Sequence, residues 1–473
     1  MKKNLFMVAA VALIATVSCN KEELGNNDAQ GVVSDVVFVA ELEQPNGDAT
    51  EVPAPAAVQT KTALGTTTNG VTAVNWVAND MIKINGVEFK ATAAGSRTDF
   101  TPTSSFTAAS TYYAVYPASA AGASDLTKVT IPASQKGTFA EAAISVAKSS
   151  TQSLSFKNVA SILKFQVPSA CSTITIESNA NLAGTFPVTF TNDLPEIGTV
   201  SSGSEKITLT GSFTTGKDYY VAVLPGSHKF TFRLDGYLSK ASTKAVTTKR
   251  AVITNLKTLP ALEASGWGVV GSFNSWDLAS AITMYKDVDG YVLARNIPSG
   301  SFKFVKGKTW DIERGIRSRD ASSPTKNAWN LCGTKDITLG DGTYDVYFIP
   351  KDGVFNFVDS GSDVDRYAPS GKKIYLQVKE WSASDAYFEA WVWGNNMTDA
   401  WYKFAMAGEK DKNHYVIYVP EGATSMKILR KDPNSDSEAW KSWNDSGNQT
   451  IPTGKDMFIE NGWGTYSWGT YSE

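Results

Sequence analysis

The chain has 473 residues, of which 19% are charged, and its 44 lysines and arginines nearly balance its 47 aspartates and glutamates. This length predicts about three or four domains, and the balanced charge disfavours a nucleic-acid partner, which requires a basic face. Three cysteines and two histidines are too few and too scattered for a disulfide framework, a zinc site or a histidine-based triad. We therefore expect no metal and no cofactor.

The first twenty residues predict export. Lys2 and Lys3 precede an apolar run over residues 5–15, which is too short to span a bilayer. Small residues then lead directly into Cys19. This arrangement resembles a lipobox, which implies that residues 1–18 are a lipoprotein signal peptide and that Cys19 is lipidated. The other interpretation is ordinary signal cleavage beside an incidental cysteine.

The residues that follow predict where the protein is delivered. Asn20-Lys21-Glu22-Glu23 resembles the export signal of lipoproteins on the outer face of the outer membrane, in bacteria that carry polysaccharide-utilisation loci. The resemblance implies a surface-exposed lipoprotein held in the outer membrane by its acyl chains, with an outer-membrane transporter complex as one expected partner. Residues 19–33 are polar and predict a flexible tether.

From position 34 the pattern predicts an all-β chain of tandem β-sandwich domains. Short runs rich in Thr, Val and aromatics alternate with turn residues, and long helical periodicity is absent. Residues 112–116 and 219–224 are similar aromatic strands, each followed by Pro. This echo predicts two related sandwiches, at residues 34–167 and 168–262.

An ordered set of motifs runs through these two predicted sandwiches. They are Lys61-Thr62-Ala63-Leu64, Trp76, and residues 80–84, 154–159, 162–165 and 250–253. Their order resembles the fimbrillin family of lipoproteins. The resemblance implies two transthyretin-like β-sandwiches, which that family uses as pilus subunits or as scaffolds of surface proteins.

Tryptophan becomes abundant after residue 262. Twelve of the 13 tryptophans lie there, and a polar stretch at residues 359–365 divides the region into predicted modules at 266–358 and 372–473. The second of these carries eight tryptophans, far more than a small sandwich core needs. Surplus exposed indoles mark binding sites, and an indole face covers the C–H face of a sugar while amides and cationic groups bond its hydroxyls. The region therefore predicts carbohydrate binding.

The first module carries a specific ordered motif set: residues 267–277, Met284, residues 300–305, Trp310-Asp311 and Gly315. The set resembles a starch-binding domain of the SusE/SusF type. The resemblance implies that Trp310 is a stacking platform, with Trp276 and Lys303 nearby. Two alternatives stay open, namely that Trp276 is the core residue of its turn and that Lys303, which alternates with phenylalanines, is only solvated. Trp329 is a further loop candidate.

In the second module, Trp391 and Trp393 are two residues apart, so they share one face of a strand. Trp401 follows after a short loop, and the spacing suits adjacent rings of one glycan chain. The alternative is an alternating strand with both indoles in the core. Trp443 and Asn444 add an aromatic ring and an amide in a loop, unless Trp443 only closes the sandwich edge.

The same module is similar to the carbohydrate-binding modules of families 25 and 26. The similarity rests on residues 374–376, Trp381, the strand 387–393, Trp401, the strand 415–420 and residues 443–445. It implies an α-glucan platform formed by Trp391, Trp393 and Trp401. Trp381, Trp463 and Trp468 lie near turns and strand ends, and we expect them to be structural.

No catalytic scaffold is recognisable, since the sequence has no βα alternation, no G-x-S-x-G elbow and no phosphate-binding glycine loop. We therefore predict that the protein is not an enzyme. The expected function is a cell-surface lipoprotein that captures α-glucan (starch, amylopectin or maltooligosaccharide) on its two C-terminal modules. The alternative is a fimbrial or adhesin subunit that binds a host glycan or another pilus subunit.

Overall fold

The computed structural model describes residues 32–33, 36–45, 62–68, 71–317, 324–381, 386–409, 412–432 and 441–472. The predicted signal peptide, Cys19 and Trp440 lie outside these ranges. Strands dominate the described residues, and the all-β prediction is confirmed. The helical elements found there are α1 (Phe139–Ala142) and short 3-10 turns at Ala118–Ala120, Ser272–Asn274, Leu278–Ser280, Val288–Gly290 and Pro350–Asp352.

The first part of the chain forms a barrel-like unit. The strands in this part of the chain are β1 (Val32–Val33), β2 (Phe38–Leu42), β3 (Ala63–Thr68), β4 (Val71–Asn75), β5 (Met81–Ile84), β6 (Val87–Ala91), β7 (Arg97–Pro102), β8 (Phe106–Thr107), β9 (Tyr112–Tyr116), β10 (Val129–Ile131), β11 (Ser134–Gln135), β12 (Ser145–Ser149) and β13 (Ser153–Asn158), of which β10 and β11 pair with strands of the next segment. Seven of them pair in the order β12-β13-β2-β7-β6-β5-β9. Because β9 pairs with both β5 and β12, the hydrogen-bonded path closes on itself instead of leaving two open sheets.

The next segment forms several smaller sheets. Its strands are β14 (Ser161–Gln166), β15 (Cys171–Glu177), β16 (Ala183–Phe186), β17 (Val188–Thr191), β18 (Leu194–Ile197), β19 (Ser201–Ser204), β20 (Lys206–Phe213), β21 (Tyr219–Val223), β22 (Gly226–His228), β23 (Thr231–Leu234), β24 (Tyr237–Ala241), β25 (Val246–Thr248) and β26 (Ile253–Thr258). Strand β14 pairs with β21 and β26, so it belongs to this second segment by hydrogen bonding. One apolar core, running from Val36 to Leu259, joins both segments.

The third unit is a single wrapped sheet. Its strands are β27 (Ala264–Gly271), β28 (Ile282–Lys286), β29 (Val292–Lys306), β30 (Glu313–Ile316), β31 (Asn330–Gly333), β32 (Ile337–Ile349) and β33 (Val354–Asp359). The 15-residue β29 pairs with β27, β28, β30 and β32. Register shifts at Ala294/Ile297 and Pro298/Gly300 bend it. The bent strand thereby encloses a separate core around Trp267, Phe304 and Phe348.

The fourth unit is a two-layer sandwich. Its strands are β34 (Lys372–Gln377), β35 (Tyr387–Gly394), β36 (Ala400–Lys403), β37 (Ala405–Met406), β38 (His414–Val419), β39 (Ala423–Lys431), β40 (Asn444–Asp445), β41 (Gln449–Thr450), β42 (Met457–Gly462) and β43 (Thr465–Gly469). One sheet has the order β37-β38-β34-β42-β43, and the other has β36-β35-β39-β40 with β41 on β39. A third apolar core, which contains Trp381 and Phe458, fills the space between them.

Buried ion pairs and hydrogen bonds join the last three units. Arg233 of β23 binds Asp287 of the third unit in a bidentate pair, at 2.8 and 3.0 Å. The guanidinium of Arg314, which is fully buried, donates to the carbonyl of Gly408 in the fourth unit at 2.9 Å. Removing one partner of such a buried contact is strongly destabilising. These contacts join the third unit to both of its neighbours.

Candidate functional site

Each apolar core contains one fully buried tryptophan. Trp76, Trp267 and Trp381 are 0%, 2% and 0% exposed, respectively. Two of the three indole N–H groups donate within the protein, from Trp76 to the carbonyl of Ala40 at 2.9 Å and from Trp267 to Glu409 at 3.2 Å. One tryptophan is thus sufficient for each core. The other described tryptophans, all after residue 262, are surplus to these three positions.

The Trp276–Trp310 surface is the first group of surplus indoles. Trp276 follows the 3-10 turn Ser272–Asn274, and its amide donates to the carbonyl of Gly271 at 2.9 Å. Its φ is +59°, a left-handed conformation that is rare for a bulky residue and clusters at functional sites. Trp310, in the loop after β29, is 38% exposed. The two ring centroids are 6.3 Å apart and the planes are inclined by 42°.

Packing and charge define the borders of this surface. Trp276 packs against the small cluster that contains Val270 and Val305, which fixes its position. Asp277 directly follows Trp276, Lys308 lies two residues before Trp310, and both side chains are exposed. The pKa of Asp277 is lowered chiefly because a backbone amide two residues ahead donates to its carboxylate, so this group is ionised at neutral pH. An apolar, angled floor with charged hydrogen-bonding groups at its rim suits a polyhydroxylated ligand.

Lys303 does not line this surface with a free ammonium group. Its Nζ lies 3.0 Å from Glu313 and 3.5 Å from Asp336, and its side chain is only 17% exposed. The two carboxylates neutralise the charge. The structure therefore places Lys303 in an ion-pair network.

Trp329 also lies apart from the Trp276–Trp310 surface. Its indole N–H donates to the carbonyl of Asp365 at 3.1 Å, and its ring lies 5.5 Å from Tyr291 and 5.4 Å from Tyr367. Asp365 and Tyr367 belong to the segment that leads into the fourth unit. Trp329 therefore packs against this connecting segment and holds it on the third unit by a hydrogen bond.

The predicted stacking strand of the fourth unit has the expected alternation. Ala390 and Val392 lie in the core, whereas Trp391 and Trp393 are half-buried on the other face of β35. Trp401 is the cross-strand partner of Trp391, with ring centroids 5.3 Å apart and planes inclined by 60°. The structure thus brings Trp391 and Trp401 together, with Trp393 two positions farther along the same face.

This tryptophan pair adjoins the contact between the third and fourth units. The ammonium of Lys431 lies 4.7 Å from the ring centroid of Trp401 and 3.0 Å from a carboxylate oxygen of Glu389. The other oxygen of Glu389 lies 3.4 Å from Arg317 of the third unit. All three charged residues are buried. The third unit therefore contributes, through Arg317, to the charged contacts that position Lys431 over Trp401.

Two exposed tryptophans lie at an edge of the fourth unit. Trp443 is 44% exposed, and its amide donates to the carbonyl of Arg430 at 2.9 Å. The side-chain oxygen of Asn444 accepts from the guanidinium of Arg430 at 2.9 Å. Trp463, which the sequence suggested to be structural, is 58% exposed. Its position between two glycines was the available signal, since a residue at such a tip has few packing partners. Trp468 packs on the core.

The two described cysteines are free thiols that are shielded from solvent to different degrees. Cys171 is half-buried and Cys332 is buried, and neither forms a disulfide. Burial raises the pKa of both thiols, that of Cys171 to about 11, so both are protonated at neutral pH. Among the described residues, no group of three or more His, Cys, Asp or Glu is arranged to hold a metal ion. The helices in these ranges are all too short or too polar to cross a membrane.

Comparison with solved structures gives weak similarities, among them the following two. The first is to a proposed cell adhesion protein from Bacteroides ovatus ATCC 8483, with 13% identity, a TM-score of 0.25, and coverage of 38% of this chain and 83% of that one. The second is to a fimbrial protein from the same organism, with 8% identity, a TM-score of 0.21, and coverage of 55% and 57%. No protein-family model and no curated protein matches the chain.

Proposed function

We propose that this chain is a cell-surface carbohydrate-binding protein of the adhesin type, without enzymatic activity. Its N-terminal β region acts as a spacer, and its two tryptophan-rich units contact the glycan. One observation supports this most directly. Each core contains a single fully buried tryptophan, while Trp310, Trp443 and Trp463 of the C-terminal units remain exposed. Exposing a large indole forgoes its burial energy, and a binding role accounts for that loss.

The surroundings of these indoles favour a sugar over a protein ligand. Among the described residues, Val37 and Leu194 are the other large apolar side chains that are exposed, and both belong to the N-terminal region. The tryptophans therefore lack the aliphatic neighbours of an apolar protein interface. Isolated flat rings with polar rims match a pyranose, whose C–H face stacks while its hydroxyls form hydrogen bonds.

The geometry favours an α-glucan as the glycan class. The rings of Trp276 and Trp310 are inclined by 42°, and those of Trp391 and Trp401 by 60°. An α-linked glucan curves along its length, so successive rings match inclined platforms better than coplanar ones. Starch, amylopectin and maltooligosaccharides are accordingly the ligands that we propose. Two such sites in one chain strengthen binding through effective concentration when the glycan reaches both.

A fimbrial or adhesin subunit that binds a host glycan or another pilus subunit is the second candidate. It is favoured by the buried contacts between units, among them the Arg233–Asp287 pair. A series of firmly joined β units suits a spacer or a pilus component. In both cases we propose anchoring in the outer membrane through lipidated Cys19, with a transporter complex as a further partner for α-glucan capture.

Affinity electrophoresis tests the α-glucan proposal. The chain starting at residue 20 is run in native gels with and without amylopectin, beside W310A and the double variant W391A/W401A. We expect amylopectin to retard the parent chain and each variant to be retarded less. L194A, which removes an exposed apolar side chain of the N-terminal region, is the matched control and should migrate as the parent does.

The gel separates the two candidates. Retardation that both tryptophan variants retain would place the binding site elsewhere. If amylopectin does not retard the parent chain, the α-glucan proposal is wrong. A panel of host-type glycans, with gel filtration for self-assembly, would then test the adhesin candidate.

A further inference from the structure

A second exposed aromatic surface lies at the edge of the fourth unit. We define the Trp443–Trp463 surface as Trp443, Trp463, Arg430 and Asn444. We propose that it is an additional carbohydrate-binding site, which stacks two indoles against the sugar rings of a neutral oligosaccharide. The inference rests on the proposed function and deepens it, because it adds a site that the sequence patterns assigned only in part.

Tertiary structure brings the two indoles together from different sheets. Trp443 precedes β40, which pairs with β39, whereas Trp463 occupies the tip of the β42–β43 hairpin. Gly462 and Gly464 flank Trp463 with φ of +143° and +76°, conformations that only glycine adopts readily. Tyr466 ties the hairpin to the other sheet, because its hydroxyl donates to the carbonyl of Asp445 at 3.0 Å.

The guanidinium of Arg430 lies close to both rings. Its central carbon is 4.9 Å from the ring centroid of Trp443 and 5.8 Å from that of Trp463. Guanidinium groups at such distances are attracted to indole faces. The two centroids are therefore within about 11 Å of each other, the sum of the two distances. One short oligosaccharide is long enough to contact both rings.

Neither indole contributes to the core of its unit. Both are absent from the apolar cluster and from the half-buried side chains packed on it, which include Trp468 and Tyr466. The adjacent groups are polar: Lys441 is exposed, and Asn461 bonds Ser467 at the surface. Two rings surrounded by amides, hydroxyls and an ammonium group match a glycan better than an apolar protein surface.

This surface is separate from the Trp391–Trp401 pair. Lys431 lies over Trp401, while the preceding residue, Arg430, lies over Trp443 and Trp463. Consecutive residues of a strand point to opposite faces, so β39 divides the two aromatic surfaces. Each surface is therefore expected to bind independently of the other.

Fluorine NMR tests the site residue by residue. The chain starting at residue 20 is labelled with 5-fluorotryptophan, and W443F and W463F assign the two signals. Maltoheptaose, cellohexaose and xylohexaose are the probes. We expect the signals of Trp443 and Trp463 to shift together with one dissociation constant for at least one probe. In W443A, the constant reported by Trp463 should rise roughly tenfold or more, because half of the platform is lost.

The other tryptophan signals provide the controls. Unchanged signals from Trp76, Trp267 and Trp381 show that W443A is folded. Shifts at Trp276 and Trp310 without shifts at Trp443 and Trp463 would overturn this inference and leave the proposed function standing. If no tryptophan signal responds to any probe, this inference and the α-glucan proposal are both wrong. Signals of Trp443 and Trp463 that change only with protein concentration would make this surface a contact between copies of the chain, which also overturns the inference.

Discussion

The N-terminal region, residues 36–262, and the C-terminal region, residues 266–472, use tryptophan in opposite ways. In the first, Trp76 is fully buried, with Phe100, Tyr116 and Phe156 packed edge-on around it at 4.9 to 5.5 Å. In the second, one fully buried indole fills each core, and the other described indoles are half-buried or exposed. The comparison teaches that burial within a core, rather than the number of tryptophans in a region, identifies the indoles that stabilise the fold.

The substitution W76A, in the N-terminal region, is expected to have the largest effect on stability. Removing a fully buried indole leaves a cavity and should lower the free energy of unfolding by about 4 kcal/mol. Urea denaturation followed by far-UV circular dichroism measures this change. W463A is the matched variant in the C-terminal region, and it should stay within about 0.5 kcal/mol of the parent. Equal losses in the two variants would contradict the distinction between core and surface indoles.

The substitution E389A tests the buried contact between the third and fourth units. It removes the carboxylate that binds both Lys431 and Arg317, so buried positive charge loses its compensation. We expect a loss of about 3 kcal/mol in the free energy of unfolding. E263Q is the control, because Glu263 pairs with Lys286 at an exposed position, where an ion pair contributes little. A loss in E263Q as large as that in E389A would show that burial is not the cause.

The two described cysteines, one in each region, should both react slowly in the native protein. Burial, and to a smaller extent Asp235, raises the pKa of Cys171 in the N-terminal region to about 11. Because the thiolate is the reactive form, its alkylation by iodoacetamide in the native protein should be slow at pH 8. The rate should rise about tenfold per pH unit up to that pKa. Mass spectrometry of the modified peptides measures the rate.

Cys332 in the C-terminal region should stay unmodified over the same pH range. It is fully buried, and burial raises its pKa as well. It should react only after the protein is unfolded in urea. Modification of Cys332 in the native protein would show that the third unit opens under these conditions.

The local sequence pattern was sufficient to predict the side-chain alternation of the strand that carries Trp391 and Trp393. Residues two apart share a face of any strand, so the sequence predicts their common face, and the structure has the alternation. The same reasoning does not predict that Trp401 pairs with Trp391 at a 60° inclination. That pairing depends on the register between β35 and β36, which the local pattern does not specify.

Other features could not be predicted from the sequence, because they depend on contacts between residues that are distant in the chain. Lys303 looked like a ligand contact or a solvated residue, but Glu313 and Asp336 neutralise it. Trp463 looked structural, yet it is the most exposed tryptophan described. The difference arises because a hairpin tip can project from the sheets or fold back on them, and its neighbours in the chain do not determine which.

The sequence by itself determined the all-β class, the export signals as predictions, and the concentration of tryptophan after residue 262, because strand propensity, apolar runs and composition are local properties. Only the tertiary structure decided which indoles fill the cores, that β9 closes the first unit, and that Arg430 joins Trp443 to Trp463. These outcomes depend on side chains from separate strands competing for the same buried space and the same partners.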